Sequence, residues 1–71
     1  MNISSQQAEK LLLGQFVFRQ ISFSMLLTRL KNNYAASPTP EKLEECVHEI
    51  NTFLQKYSVI MTQDLIIIQN I

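Results

Sequence analysis

Ala35-Ala36-Ser37-Pro38-Thr39-Pro40 decides how this chain folds: it holds both prolines and separates two long segments that share a single glycine. Proline lacks the backbone donor and crowds the preceding turn, so a helix arriving from the N-terminal side stops here. The same stretch starts the next element. Thr39 reads as an N-cap, Pro40 occupies the first helical position, and Glu41 follows where the helix dipole favours a carboxylate. Downstream, at about 100° per residue, Leu43, Cys46, Val47, Ile50, Phe53, Leu54, Tyr57, Ile60 and Met61 fall in one arc of about 140°. Glu44, Glu45, His48, Thr52 and Gln55 fall opposite. An amphipathic helix therefore runs to about Met61. Leu65-Ile66-Ile67-Ile68 also suits a short strand, but Leu65 and Ile68 stay on the helical stripe, which favours helix to about Ile67.

Upstream, Ser4 and Gln7 have the spacing of a capping box. One apolar stripe then holds Ala8, Leu12, Phe16, Phe23, Leu26, Leu27, Leu30 and Tyr34. A second, on roughly the opposite side, holds Leu11, Gly14, Val17, Phe18, Ile21 and Met25. Ile21-Ser22-Phe23-Ser24-Met25 alternates as a strand would, but for five residues only and without flanking turn signals, so the helix is preferred. A helix packed against one neighbour needs one stripe; two stripes need two neighbours. The expected fold is all-α, an antiparallel two-helix hairpin within one domain of residues 1–71. Its helices span about 5–33 and 40–67, joined by a turn at 34–39, and it is completed by a partner or by self-association. Leu12, Phe16, Phe23, Leu27 and Leu30 would form the internal seam with Leu43, Val47, Ile50, Leu54 and Tyr57. Leu11, Gly14, Val17, Phe18, Ile21 and Met25 would be the partner-binding face, so that Phe18→Asp or Ile21→Asp would cost binding while sparing helicity.

Size and composition point the same way. At 71 residues a lone core supplies only about 3–5 kcal/mol, and chains this small commonly add a disulfide, a metal or a partner. Cys46 and His48 are the only cysteine and the only histidine, which leaves the partner. Six basic and six acidic residues cancel, without a run of like charges, so nucleic acid is not the expected partner. The apolar stretch 11–30 is interrupted by Gln15, Arg19, Gln20, Ser22, Ser24 and Arg29, so no membrane span is expected. The start, Met1 to Lys10, lacks the pattern of a secretory signal, which makes the expected location cytoplasmic.

No catalytic constellation emerges. Cys46 and His48 are two residues apart on a helix, about 200° around, so they do not face each other. Cys46 reads as a core thiol and His48 as a solvated side chain, while Glu44, Glu45 and Glu49 read as a charged exposed face. One glycine cannot build a phosphate loop. The expectation is a non-enzyme without cofactor or metal. Three residues fit this scheme poorly. Arg19 lies at the edge of the first apolar stripe. Asp64 falls inside the second helix's apolar arc, marking either a helix end or a partner contact. Gly14 interrupts a helix at about 1 kcal/mol relative to alanine, a cost understandable where another backbone approaches.

At Met25-Leu26-Leu27-Thr28-Arg29-Leu30-Lys31, ending the first expected helix, the chain resembles the YscE/EscE-type family of type III secretion co-chaperones. Some members of that family carry Leu-Thr-Lys-Leu-Lys at the corresponding place, and the likeness of layout extends over residues 5 to 63. The resemblance implies an antiparallel hairpin that binds a helical-repeat chaperone and helps keep the secretion needle subunit unpolymerised in the cytoplasm. The apolar first helix, the proline-containing turn and the isoleucine-rich tail depart from the family pattern. Two other readings stand beside it: a needle-type subunit itself, and a homo-oligomeric helical hairpin of regulatory or structural role.

Overall fold

Thr39 and Pro40 do start a helix. A computed structural model describes residues 2–57 and 62–71, and all the regular structure among them is helical. The Thr39 side chain accepts from the Lys42 N–H at 3.1 Å, Pro40 stands in the first turn, and α3 runs Pro40–Lys56. Its buried side is Cys46, Ile50 and Leu54, with Leu43, Val47 and Phe53 partly covered, as the one-sided arc requires. Tyr57 caps the helix and is exposed rather than part of the seam. Ile60 and Met61 lie outside the described residues. A separate α4, Thr62–Gln69, takes the isoleucine-rich tail, so the tail is helical but not a continuation of α3 in unbroken register from Lys56.

The larger correction concerns the first half. The expected helix 5–33 is two helices, α1 (Ser5–Leu13) and α2 (Ile21–Ala36), separated by a non-helical segment. An unbroken helix of that length would measure about 43 Å at 1.5 Å per residue. The longest dimension of the molecule is 31 Å. Among the described residues the arrangement is therefore one of four helices in which α1, α2 and α3 pack pairwise, not a two-helix hairpin.

Burial explains the break. On one continuous helix, Leu11 and Phe18 would point away from the seam. Breaking the helix resets its phase, and each piece then needs only one apolar side. α1 buries Ala8, Leu11 and Leu12; α2 buries Phe23, Leu27 and Leu30; and Phe18, in the connecting segment, closes edge-on against Phe23 at 5.0 Å and 88°. The second neighbour that the two stripes require is thus supplied by the chain itself. A radius of gyration of 11.1 Å equals the value of about 11 Å for a self-contained folded chain of this length.

Gly14 is where α1 ends. Its N–H donates to the Lys10 carbonyl at 2.8 Å, and its own carbonyl accepts from the Lys31 ammonium at 2.8 Å. A Cβ here would run into the Phe16 ring and stand 2.8 Å from the Lys10 carbonyl oxygen. The close approach comes from the chain's own turn, not from a second backbone. Gly14→Ala is accordingly expected to cost about 1–3 kcal/mol, the usual range for overpacking, despite alanine's better helix propensity. A lower denaturant midpoint at unchanged m-value checks this.

Candidate interaction surface

Two arrangements of residues stand out beyond the core. The first is a buried clamp. Asp64, in the first turn of α4, has 0% of its surface exposed. Its two carboxylate oxygens accept the backbone N–H groups of Arg19 at 2.8 Å and Gln20 at 2.7 Å. Gln20 is the N-cap of α2, and its side chain in turn accepts from the Phe23 N–H at 3.1 Å. The leading donors of α2 are thereby satisfied from two sides, as the N-terminus of a helix demands. Asp64 does not close the second expected helix: it stands in the first turn of α4 and serves the start of α2. Arg19 contributes its backbone to this clamp while its side chain is exposed.

A comparable grip holds the N-terminus. Asn51 on α3 accepts from the Ile3 N–H at 2.7 Å and donates to the Ile3 carbonyl at 3.2 Å, while Ile3 itself is buried. Ser5 donates to Glu44 at 3.0 Å, and Gln55 donates to Asn2 at 2.8 Å. Sequence reasoning passed over Ile3 and Asn51. The one available signal is an asparagine on the border of the α3 stripe, and it does not say what it binds.

The second arrangement is the outer face of α2 with the segment before it. Here the six residues of the expected partner-binding face separate. Val17, Ile21 and Met25 are 86%, 74% and 68% exposed. Leu11 is fully buried and Phe18 only 8% exposed, so both belong to the core; Gly14 is half-buried at the end of α1. The reason is again the phase change at residues 14–20, which turns Leu11 and Phe18 inward. Ile21 and Met25 lie one helical turn apart along an open groove of about 700 Å³. Phe18 closes its apolar end, and Thr28, Arg29 and Asn32 line the other. Arg29 also pairs with Glu49 of α3 at 3.0 Å, both groups being substantially exposed. Residues 25–31 lie across this face: Leu27 and Leu30 are core, Lys31 holds the end of α1, and Met25, Thr28 and Arg29 border the groove.

Neither reactive-looking residue stands in such a place. Cys46 is buried in the core, where burial first and the Glu49 carboxylate second push its thiol above the ordinary range. A buried, protonated thiol is a poor nucleophile. His48 is exposed on α3. Among the described residues no group of three or more His, Cys, Asp or Glu side chains converges as a metal site, and no helix is long and apolar enough to cross a membrane. Compared with protein families, curated proteins and solved structures, the chain matches none.

Proposed function

We propose that this protein is a non-catalytic, cytoplasmic binding module that engages another protein through the outer face of α2, in the manner of a type III secretion co-chaperone. On this reading it joins a helical-repeat chaperone and helps keep the needle subunit unpolymerised. One observation carries the binding part: Ile21 and Met25 are exposed one helical turn apart along a groove, with Val17, also exposed, shortly before them in the chain. Scattered exposed apolar residues are ordinary, but Ile21 and Met25 side by side along one groove are what an interaction site offers. The co-chaperone part is supported by the resemblance of residues 25–31, three of which line or border that groove.

Light scattering on the purified chain over a concentration series, alone and then with a needle-subunit chaperone, tests the reading. The expected result is a monomer alone and a defined heteromer with the chaperone. A chain that polymerises alone is a needle-type subunit instead. A chain that forms a closed homo-oligomer is a self-associating protein.

A further inference from the structure

We infer that the groove on α2 takes an acidic amphipathic helix from a different protein, one that places apolar side chains against Ile21 and Met25 and carboxylates toward Arg29. The inference rests on the binding reading above and names the chemistry of its occupant.

Charge distribution is the starting point. From Lys10 to Pro40 the chain carries Lys10, Arg19, Arg29 and Lys31 and not one acidic residue. From Glu41 onward it carries five acidic residues against two basic ones. The zero net charge of the whole therefore conceals a basic stretch over residues 10–40, which includes α2, and an acidic one after it. Along the groove the polar end offers a guanidinium at Arg29 and the amide of Asn32, with no carboxylate in the lining. A complementary occupant carries apolar groups for Ile21 and Met25 and negative charge for the Arg29 end. A helix laid in a groove presents such a pattern through residues at i, i+3, i+4 and i+7.

A second copy of this chain does not meet that description. An isologous contact of α2 with α2 supplies the apolar groups but brings two basic stretches together, and the one carboxylate beside each groove, Glu49, is already engaged by its own Arg29. The exposed side of α3 supplies Glu41, Glu44 and Glu45, but its neighbours there, His48, Thr52 and Gln55, are polar. On α1, Glu9 and Leu13 are both exposed, yet they give one apolar residue and one carboxylate with Lys10 beside them. On α4 the exposed Ile66 has no exposed carboxylate in its helix. Among the described residues, no face of the molecule combines a row of apolar side chains with acidic flanks. The existing Arg29–Glu49 pair does not block the site, because exposed ion pairs are held by about 0–1 kcal/mol and exchange partners readily.

The test uses two fluorescent, helix-stapled peptides of identical length, each with leucine at i, i+4, i+7 and i+11. One carries glutamate at every flanking position and the other lysine. Binding to the full chain is read by anisotropy at low and high salt. The expected result is that the glutamate peptide binds at least tenfold more tightly at low salt, that the gap narrows as salt is added, and that Arg29→Gln shrinks it severalfold while circular dichroism shows an unchanged fold. Ile21→Asp is expected to weaken both peptides. Equal binding of the two peptides, or no binding of either, overturns the inference. So does concentration-dependent self-association that Met25→Asp abolishes, because it assigns the groove to a second copy. Ile21→Asp separates the two levels of the argument. If it weakens both peptides although they bind equally, the surface is right and its charge preference wrong. If it affects neither, the α2 face is not the binding surface and the reading beneath fails as well.

Discussion

Asp64→Ala is expected to lower the unfolding midpoint of this protein by about 10–25 °C, with visible loss of helicity at room temperature. The estimate starts from the two hydrogen bonds that Arg19 and Gln20 donate to the carboxylate. Hydrogen bonds to a charged group contribute roughly 1.5–3 kcal/mol each, and water recovers part of that where the backbone is incompletely covered. About 3 kcal/mol remains. A core of this size supplies only about 3–5 kcal/mol in total, and each kcal/mol moves the midpoint of a domain of 60–100 residues by about 4–8 °C. The substitution also unfastens two elements at once, since Asp64 is in α4 and its partners lead into α2. Asp64→Asn keeps the shape and one acceptor but turns an amide donor toward one of the two N–H groups, so it should fall between wild type and Asp64→Ala. Thermal melts followed by circular dichroism give both values. Hydrogen exchange should quicken at the Arg19 and Gln20 amides in either variant. An Asp64→Ala chain that melts within about 3 °C of wild type would show that the clamp does not hold the fold together.

The same clamp marks where sequence reasoning stopped. α3 was legible because each of its signals is local: a threonine cap, a proline in the first turn and a one-sided apolar arc all agree within seventeen residues. The capping box at Ser4 and Gln7 was legible for the same reason, and both of its hydrogen bonds are present. The break between α1 and α2 was not. Gly14 alone is a weak stop signal, because a helix tolerates one glycine at about 1 kcal/mol. What makes the break favourable arrives from far along the chain: Lys31 reaches the Gly14 carbonyl across 17 positions, and Asp64 reaches Arg19 across 45. A helical wheel carried through residues 14–20 in a single phase cannot register either. It gives two opposed apolar stripes instead, each of which mixes residues of α1, α2 and the segment between them. The charged residue in an apolar setting, Asp64 beside an isoleucine-rich run, stands out in the sequence, but its purpose is not readable without the position of α2. Two helical residues of the expected face, Ile21 and Met25, are exposed for a related reason. Ile21 and Met25 lie within α2, where the spacing holds, whereas Leu11 precedes the break and Phe18 lies in it.

Phe18→Asp and Ile21→Asp, three residues apart, are therefore expected to behave in opposite ways, although a continuous helix would place both on one outer face. Phe18 is enclosed: 8% of its surface is exposed, with Phe23 edge-on at 5.0 Å and Phe16 tilted against it at 6.3 Å. Truncating a buried phenylalanine costs about 3–5 kcal/mol, which already matches what a core this small provides. A carboxylate without a partner in the same place adds its own desolvation cost. Phe18→Asp should leave a chain with little helical signal at 222 nm and no cooperative melt. Ile21 is 74% exposed and is the first residue of α2, where the helix dipole tolerates a carboxylate. Ile21→Asp should stay within about 0.5 kcal/mol of wild type, the range of an exposed substitution, and keep its full helicity. Phe18→Leu, which preserves an apolar side chain, should fall between the two and still fold. If Phe18→Asp retains the wild-type spectrum, Phe18 is on the surface and α1 and α2 are one helix after all. If Ile21→Asp unfolds the chain as well, the outer face of α2 is covered within the molecule itself, and neither residue is available to a partner.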